Sequence, residues 1–151
     1  MTSSTTGRRN RSKGQTYERR VRDQLAEAMP GTTWTRRIQV RGARVDGSDV
    51  EGVDVRGVAV PLWIECHDGR TSPAIKLEQA CEDCPRGWHP LAVVHRPATR
   101  YAADVVCIRF GDLLDLGMLP PATLDDDGLN TPVTLPLDQA LRLIGRWWRM
   151  R

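Results

Sequence analysis

No stretch of this 151-residue sequence approaches the ~18 uninterrupted apolar residues of a membrane-spanning helix. Its first residues also lack the apolar segment of a secretory leader. The expectation is a cytoplasmic protein with no membrane partner. Cysteine is sparse and unpatterned: Cys66, Cys81, Cys84 and Cys107 include a single C-x-x-C, which argues against a disulfide framework. One such pair also falls short of the two that a structural zinc site usually draws on. Lysine is nearly missing. Of 22 basic residues only Lys13 and Lys76 are lysines, so any ammonium group in a site must come from one of those two. There is no internal repeat.

What is present is a chain of ordinary globular composition, 40% hydrophobic and 27% charged, of a length that suits one domain. Its net charge of +3 is unevenly spread. Residues 1–13 carry Arg8, Arg9, Arg11 and Lys13 with no acid, and residues 142–151 carry four arginines with no acid. The middle is therefore acidic, with 14 basic side chains against all 19 carboxylates. Basic ends of this kind suit phosphate backbones.

The periodicities predict a mixed α/β domain in the order α-β-β-β-α-β-β-α. Residues 1–13 read as a disordered basic arm. A helix follows from Gln15 to Met29, where Tyr17, Val21, Leu25 and Ala28 recur at helical spacing. Residues 33–40 read as a strand. Valines and isoleucines alternate through 49–66, with Arg56-Gly57 as a two-residue hairpin turn. Ala74–Cys84 reads as a helix, Leu91–His95 and Val105–Phe110 as strands, and Gly111–Leu119 as a short helix. Residues 120–135 read as a linker, and 136–151 as a basic amphipathic helix appended to a domain spanning 14–119.

The hairpin holds the chemistry. Glu65 and His67 share one face of their strand, because side chains alternate with period two. Register arithmetic sets Asp49 nearly opposite Glu65, and paired carboxylates at a hairpin's mouth make a cation site. Asp54 is a second candidate acid, closer to Glu65 in sequence. Lys76 and Gln79 lie three apart on the following helix and share a face.

Several segments stand in a recognisable order: Gly14-Gln15-Thr16-Tyr17-Glu18, Ser48-Asp49-Val50-Glu51-Gly52, Trp63-Ile64-Glu65-Cys66, Pro73, Gln79-Ala80 and Val93-Val94-His95-Arg96. This order resembles the PD-(D/E)xK nuclease superfamily, most closely the Holliday-junction-resolvase-like endonucleases of phages and prophages. The resemblance covers residues 14–119. It implies a restriction-endonuclease-like core (α-β-β-β-α-β) and a metal-dependent DNA endonuclease acting on branched or junction DNA, often as a homodimer. It further implies Mg²⁺ or Mn²⁺ held by Glu65 with Asp49 or Asp54, Glu18 as an outer ligand, and Gln79 lining the site. His67 stands where the family has lysine. Either histidine takes that role, or Lys76 supplies the charge from the helix.

For DNA contact the candidates are Arg8, Arg9, Arg11, Lys13 and Arg96. Loss of the motif lysine also permits a second reading, a catalytically impaired nuclease-fold DNA-binding protein. A third is a zinc-stabilised interaction protein using Cys81, Cys84 and His89.

Overall fold

A computed structural model describes residues 3–37, 47–117 and 126–151, with the side chains of residues 3–6 and 8 outside that description. Helix α1 (Ser3–Ala28) opens the chain, and Pro30-Gly31 turns it into strand β1 (Thr32–Arg36), with Gly31 at φ +81. Strands β2 (Val50–Asp54) and β3 (Leu62–Asp68) follow, then α2 (Pro73–Asp83), β4 (His89–His95) and β5 (Val105–Arg109). Two short helices, α3 (Phe110–Asp115) and α4 (Asp126–Leu129), precede β6 (Pro132–Pro136) and α5 (Leu137–Arg149).

The six strands lie in sequence order in one sheet. Neighbours are antiparallel except β3 and β4, which run parallel from Leu62↔His89 to Asp68↔His95. A parallel pair needs a crossover, and α2 provides it. One face of the sheet packs under α1 and α5. There Tyr17, Val21, Leu25 and Met29, one helical turn apart, meet Leu62, Ile64, Leu91, Val93, Val106 and Ile108. The other face is covered by α2 through Leu77 and Cys81 against Ala92 and Cys107. The mixed α/β class and the order α1-β1-β2-β3-α2-β4 are as the sequence suggests.

Three segments differ from expectation. The residues read as a disordered arm lie on α1 from Ser3 onward. Serine, threonine and glycine gave no apolar period there, yet a helix already anchored at Tyr17 extends at low cost, one hydrogen bond per residue. Part of the expected linker is β6, paired with β5 from Val105↔Pro136 to Arg109↔Pro132. Its flanking prolines disguised it, and they are tolerated because β6 is an edge strand. The C-terminal helix is no appendage. Leu137, Ala140, Ile144 and Trp147 of α5 are buried in the main core, so its apolar face is not free to join two copies. Residues 38–40 of the expected first strand and 118–119 of the expected short helix lie outside the described residues.

Gly145 lies at a close approach of α5 to α1, where an added Cβ would strike the carbonyl oxygen of Ala28. Alanine normally stabilises a helix interior relative to glycine by about 1 kcal/mol. Here we expect the opposite sign. Gly145→Ala should destabilise by roughly 1–3 kcal/mol through overpacking, seen as a lower thermal midpoint by circular dichroism. A raised midpoint would contradict this packing.

Candidate active site

The β2–β3 connection decides which aspartate meets Glu65. Asp54 closes the turn: its backbone N–H donates to the Val58 carbonyl (2.8 Å), and its carboxylate accepts from the N–H groups of Arg56 (2.8 Å) and Val58 (2.9 Å). The guanidinium of Arg56 also reaches it at 2.8 Å. The loop is therefore Val55-Arg56-Gly57, three residues with Gly57 at φ +78, rather than the expected two. Hydrogen bonds from Val58 lead those that hold the Asp54 carboxyl below its ordinary pKa, so this acid serves the turn.

Beyond the turn the pairing shifts. Val53 bridges Ala59, yet Val50 pairs Ile64, so two extra residues are taken up around Val60-Pro61. The backbone N–H of Asp49 then donates to the Ile64 carbonyl at 2.9 Å, and Asp49 faces Glu65. One Asp49 oxygen accepts from the Cys66 backbone N–H at 2.8 Å. The two carboxylates are within hydrogen-bonding reach of each other. Burial raises both above their ordinary pKa values, and the Asp49 charge adds to the effect on Glu65, which is pushed up to about 7. Near neutrality the pair therefore shares a proton, held mainly by Glu65. Trp63 Nε1–H donates to Glu65 at 3.2 Å from the same strand face.

His67 follows on that face. Its Nε2 is buried and without a hydrogen-bond partner, and a Cβ on Gly69 would sit 2.5 Å from it. Desolvation, then the nearby Lys76 charge, hold His67 below its ordinary pKa, so the imidazole is neutral. On α2, the Lys76 ammonium donates to Gln79 Oε1 at 2.8 Å. The same ammonium favours the charged form of Asp49. Lys76 is thus near both Asp49 and His67, and Gln79 fixes its direction.

Tyr17 anchors α1 on the sheet. Its ring lies 5.6 Å from that of His95 and stacks parallel to Tyr101 at 6.5 Å. Glu18, next in sequence, is brought near Asp49 but points to Arg36, 3.1 Å away. Burial, opposed by the Arg36 hydrogen bond, raises its pKa. Among the expected DNA contacts, Arg9, Arg11 and Lys13 are exposed on the helix, and Arg96 is exposed just after β4, whereas the Arg8 side chain lies outside the described residues.

Other features were not foreseen. His95 is buried, its Nδ1 2.6 Å from Asp104, itself 1% exposed. Nothing in the sequence signals that pair, whose members are separated by a loop. His89 starts β4, 2.9 Å from Asp112, which also accepts from Arg109 at 2.5 Å. Burial alone would raise the Asp112 pKa, but hydrogen bonds from His89 and Arg109 outweigh it and lower it. Among the described residues, the group whose ligand atoms fall within 4.8 Å of one another is His89, Asp112 and Asp115. It leaves out Cys81 and Cys84, and Asp112 is already engaged by His89 and Arg109. Asp49, Glu65 and Glu18 do not form such a group, because Glu18 is turned to Arg36.

No protein-family model matches this chain, and no curated protein matches it. Among the described residues, no helix is long and apolar enough to cross a membrane. Among solved structures, the chain is similar to Hjc, a Holliday junction resolvase from the archaeal hyperthermophile Archaeoglobus fulgidus. The likeness has 17% identity, covers 85% of this chain and 99% of that one, and has a TM-score of 0.46.

Proposed function

We propose that this chain is a divalent-metal-dependent endonuclease that hydrolyses DNA phosphodiesters, with branched or junction DNA as substrate and phage or prophage DNA processing as its setting. The observation that carries this reading is the half-buried Asp49–Glu65 carboxylate pair, set face to face by the β2–β3 register, with the Lys76 ammonium alongside. Carboxylate oxygens are the donors that Mg²⁺ or Mn²⁺ takes, and a dication replaces the shared proton without new repulsion. The residues therefore fit the ion. Asp49 and Glu65 would hold it, with Glu18 as an outer carboxylate once released from Arg36. Bound there, the ion would polarise the phosphate and neutralise charge on the leaving oxygen.

The chain's own groups do the rest. The Cys66 N–H fixes Asp49, and Trp63 orients Glu65. Lys76, steered by Gln79, presents a fixed positive charge to the phosphate. His67, neutral, keeps a buried, unpaired nitrogen beside Gly69. Arg96 beyond β4, and Arg8, Arg9, Arg11 and Lys13 on α1, track the backbone on either side. Asp54 is left to its turn. Cutting two strands calls for two copies, joined elsewhere than through the apolar face of α5.

A four-way junction and a linear duplex incubated with Mg²⁺, Mn²⁺ or EDTA test this. We expect cleavage of the junction with at least one of the ions and none with EDTA. Retained DNA binding without cleavage under any divalent ion would support the catalytically impaired reading, which the neutral His67 favours.

A further inference from the structure

Helix α5 spends its apolar face on the core, and its outward face is unusual. Gln139, Arg142, Arg146 and Arg149 are exposed and spaced by three and four, so they form one line along the helix. They border a shallow depression of about 490 Å³ together with Leu143. From Gln139 to Arg151 the sequence has no acid. Among the described residues, the line meets one carboxylate, Asp138, which pairs with Arg142 on the exposed surface. Arg146 and Arg149 have no carboxylate partner there.

A solvated helix face ordinarily mixes signs, because like charges three or four residues apart repel. The helix dipole welcomes Arg146 and Arg149 in the last turn, yet it does not offset crowding along the whole line. A linear polyanion does. Guanidiniums in a row, of which Arg146 and Arg149 are each able to grip a phosphate by two parallel hydrogen bonds, match a nucleic-acid backbone. The line is also remote from the chemistry. It faces outward from α5, which packs on α1, β5 and β6, whereas Glu65 and His67 lie under α2 on the opposite sheet face.

We infer that the Arg142–Arg146–Arg149 line is a second anchor for a DNA backbone, holding a part of the substrate other than the strand being cut. The inference rests on the DNA-binding part of the function proposed above. It makes this surface a determinant of affinity and leaves the chemical step to the carboxylate pair.

The test is fluorescence anisotropy in EDTA with a labelled four-way junction, over a range of salt, for wild type and Arg146→Ala/Arg149→Ala. Each phosphate contact contributes about 0.9 to the slope of log affinity against log salt. The double variant should lose roughly 1.8 of that slope, and about tenfold or more in affinity at low salt. Its thermal midpoint should match wild type, and Arg146→Lys/Arg149→Lys should recover most of the slope. With metal and saturating DNA, kcat should be unchanged. An unchanged slope overturns the anchor while leaving cleavage intact. Wild type that binds vesicles of phosphatidylserine but not the junction also overturns it. Wild type that binds with the expected slope but never cuts supports the anchor and defeats the nuclease reading.

Discussion

Glu65→Gln is expected to abolish DNA cleavage and, at the same time, to make the protein more stable at pH 8. Both effects follow from one feature, the carboxylate pair. A dication at a scissile phosphate contributes several kcal/mol of transition-state stabilisation, and losing about 4 kcal/mol of it is a factor of ~10³ in rate. Glutamine keeps the shape and the contact with Trp63 but cannot supply the second negative charge. The stability effect runs the other way. In the folded chain Glu65 is pushed up to about 7 from 4.5 by burial and the Asp49 charge, so the native state holds its proton more tightly than the unfolded state does. Stability is therefore greatest below the unfolded pKa and is lost as pH rises from there through about 7. Because the side chain keeps some solvent contact, the penalty at pH 8 is roughly 1–2 kcal/mol. Glutamine is neutral throughout and can donate to Asp49, so the variant's thermal midpoint should exceed wild type by a few degrees at pH 8 and equal it at pH 4. Mg²⁺ or Mn²⁺ should raise the wild-type midpoint and leave the variant's unchanged. A variant destabilised equally at both pH values, or still cleaving, would remove the basis for a cation site here.

The features that were legible in the sequence are those carried by local period or by register. Tyr17, Val21 and Leu25 announce α1 by spacing alone, and the alternation around Glu65 announces β3. Asp49 could be set near Glu65 because a hairpin has few registers. Its choice over Asp54 could not be settled, since two offsets are involved: the three-residue turn and the extra residues at Val60-Pro61. Neither has a clear sequence signature. Long-range pairings were illegible for a related reason. Glu18 meets Arg36 and His95 meets Asp104 only because separate elements pack together. Strand β6 was hidden by its own prolines, and the helical state of residues 3–13 by the absence of any apolar residue whose spacing would report it.

Lys76→Ala should lower kcat by about 10²–10³-fold, the range spanned when one charged donor is removed from a preorganised site. His67→Lys should alter the wild-type protein's rate far less. The reason lies in where the positive charge stands. His67 is neutral, held so by desolvation and by Lys76 itself, so it cannot be the fixed cation. Lys76 is the one lysine near the pair, its ammonium tied to Gln79 and close enough to favour ionised Asp49. The two variants together are more informative than either alone. In the Lys76→Ala background, His67→Lys restores a cation to the strand position and no longer faces repulsion from position 76, so it should recover much of the lost rate. Gln79→Ala, which frees the ammonium without deleting it, should cost less than Lys76→Ala and act on kcat more than on KM. Single-turnover cleavage of a junction at fixed metal concentration separates these cases. If Lys76→Ala leaves the rate unchanged while His67→Lys alone raises it a hundredfold, the ammonium on α2 has no part in the chemistry. The natural site would then lack its cation, and the chain would be the catalytically impaired DNA-binding protein.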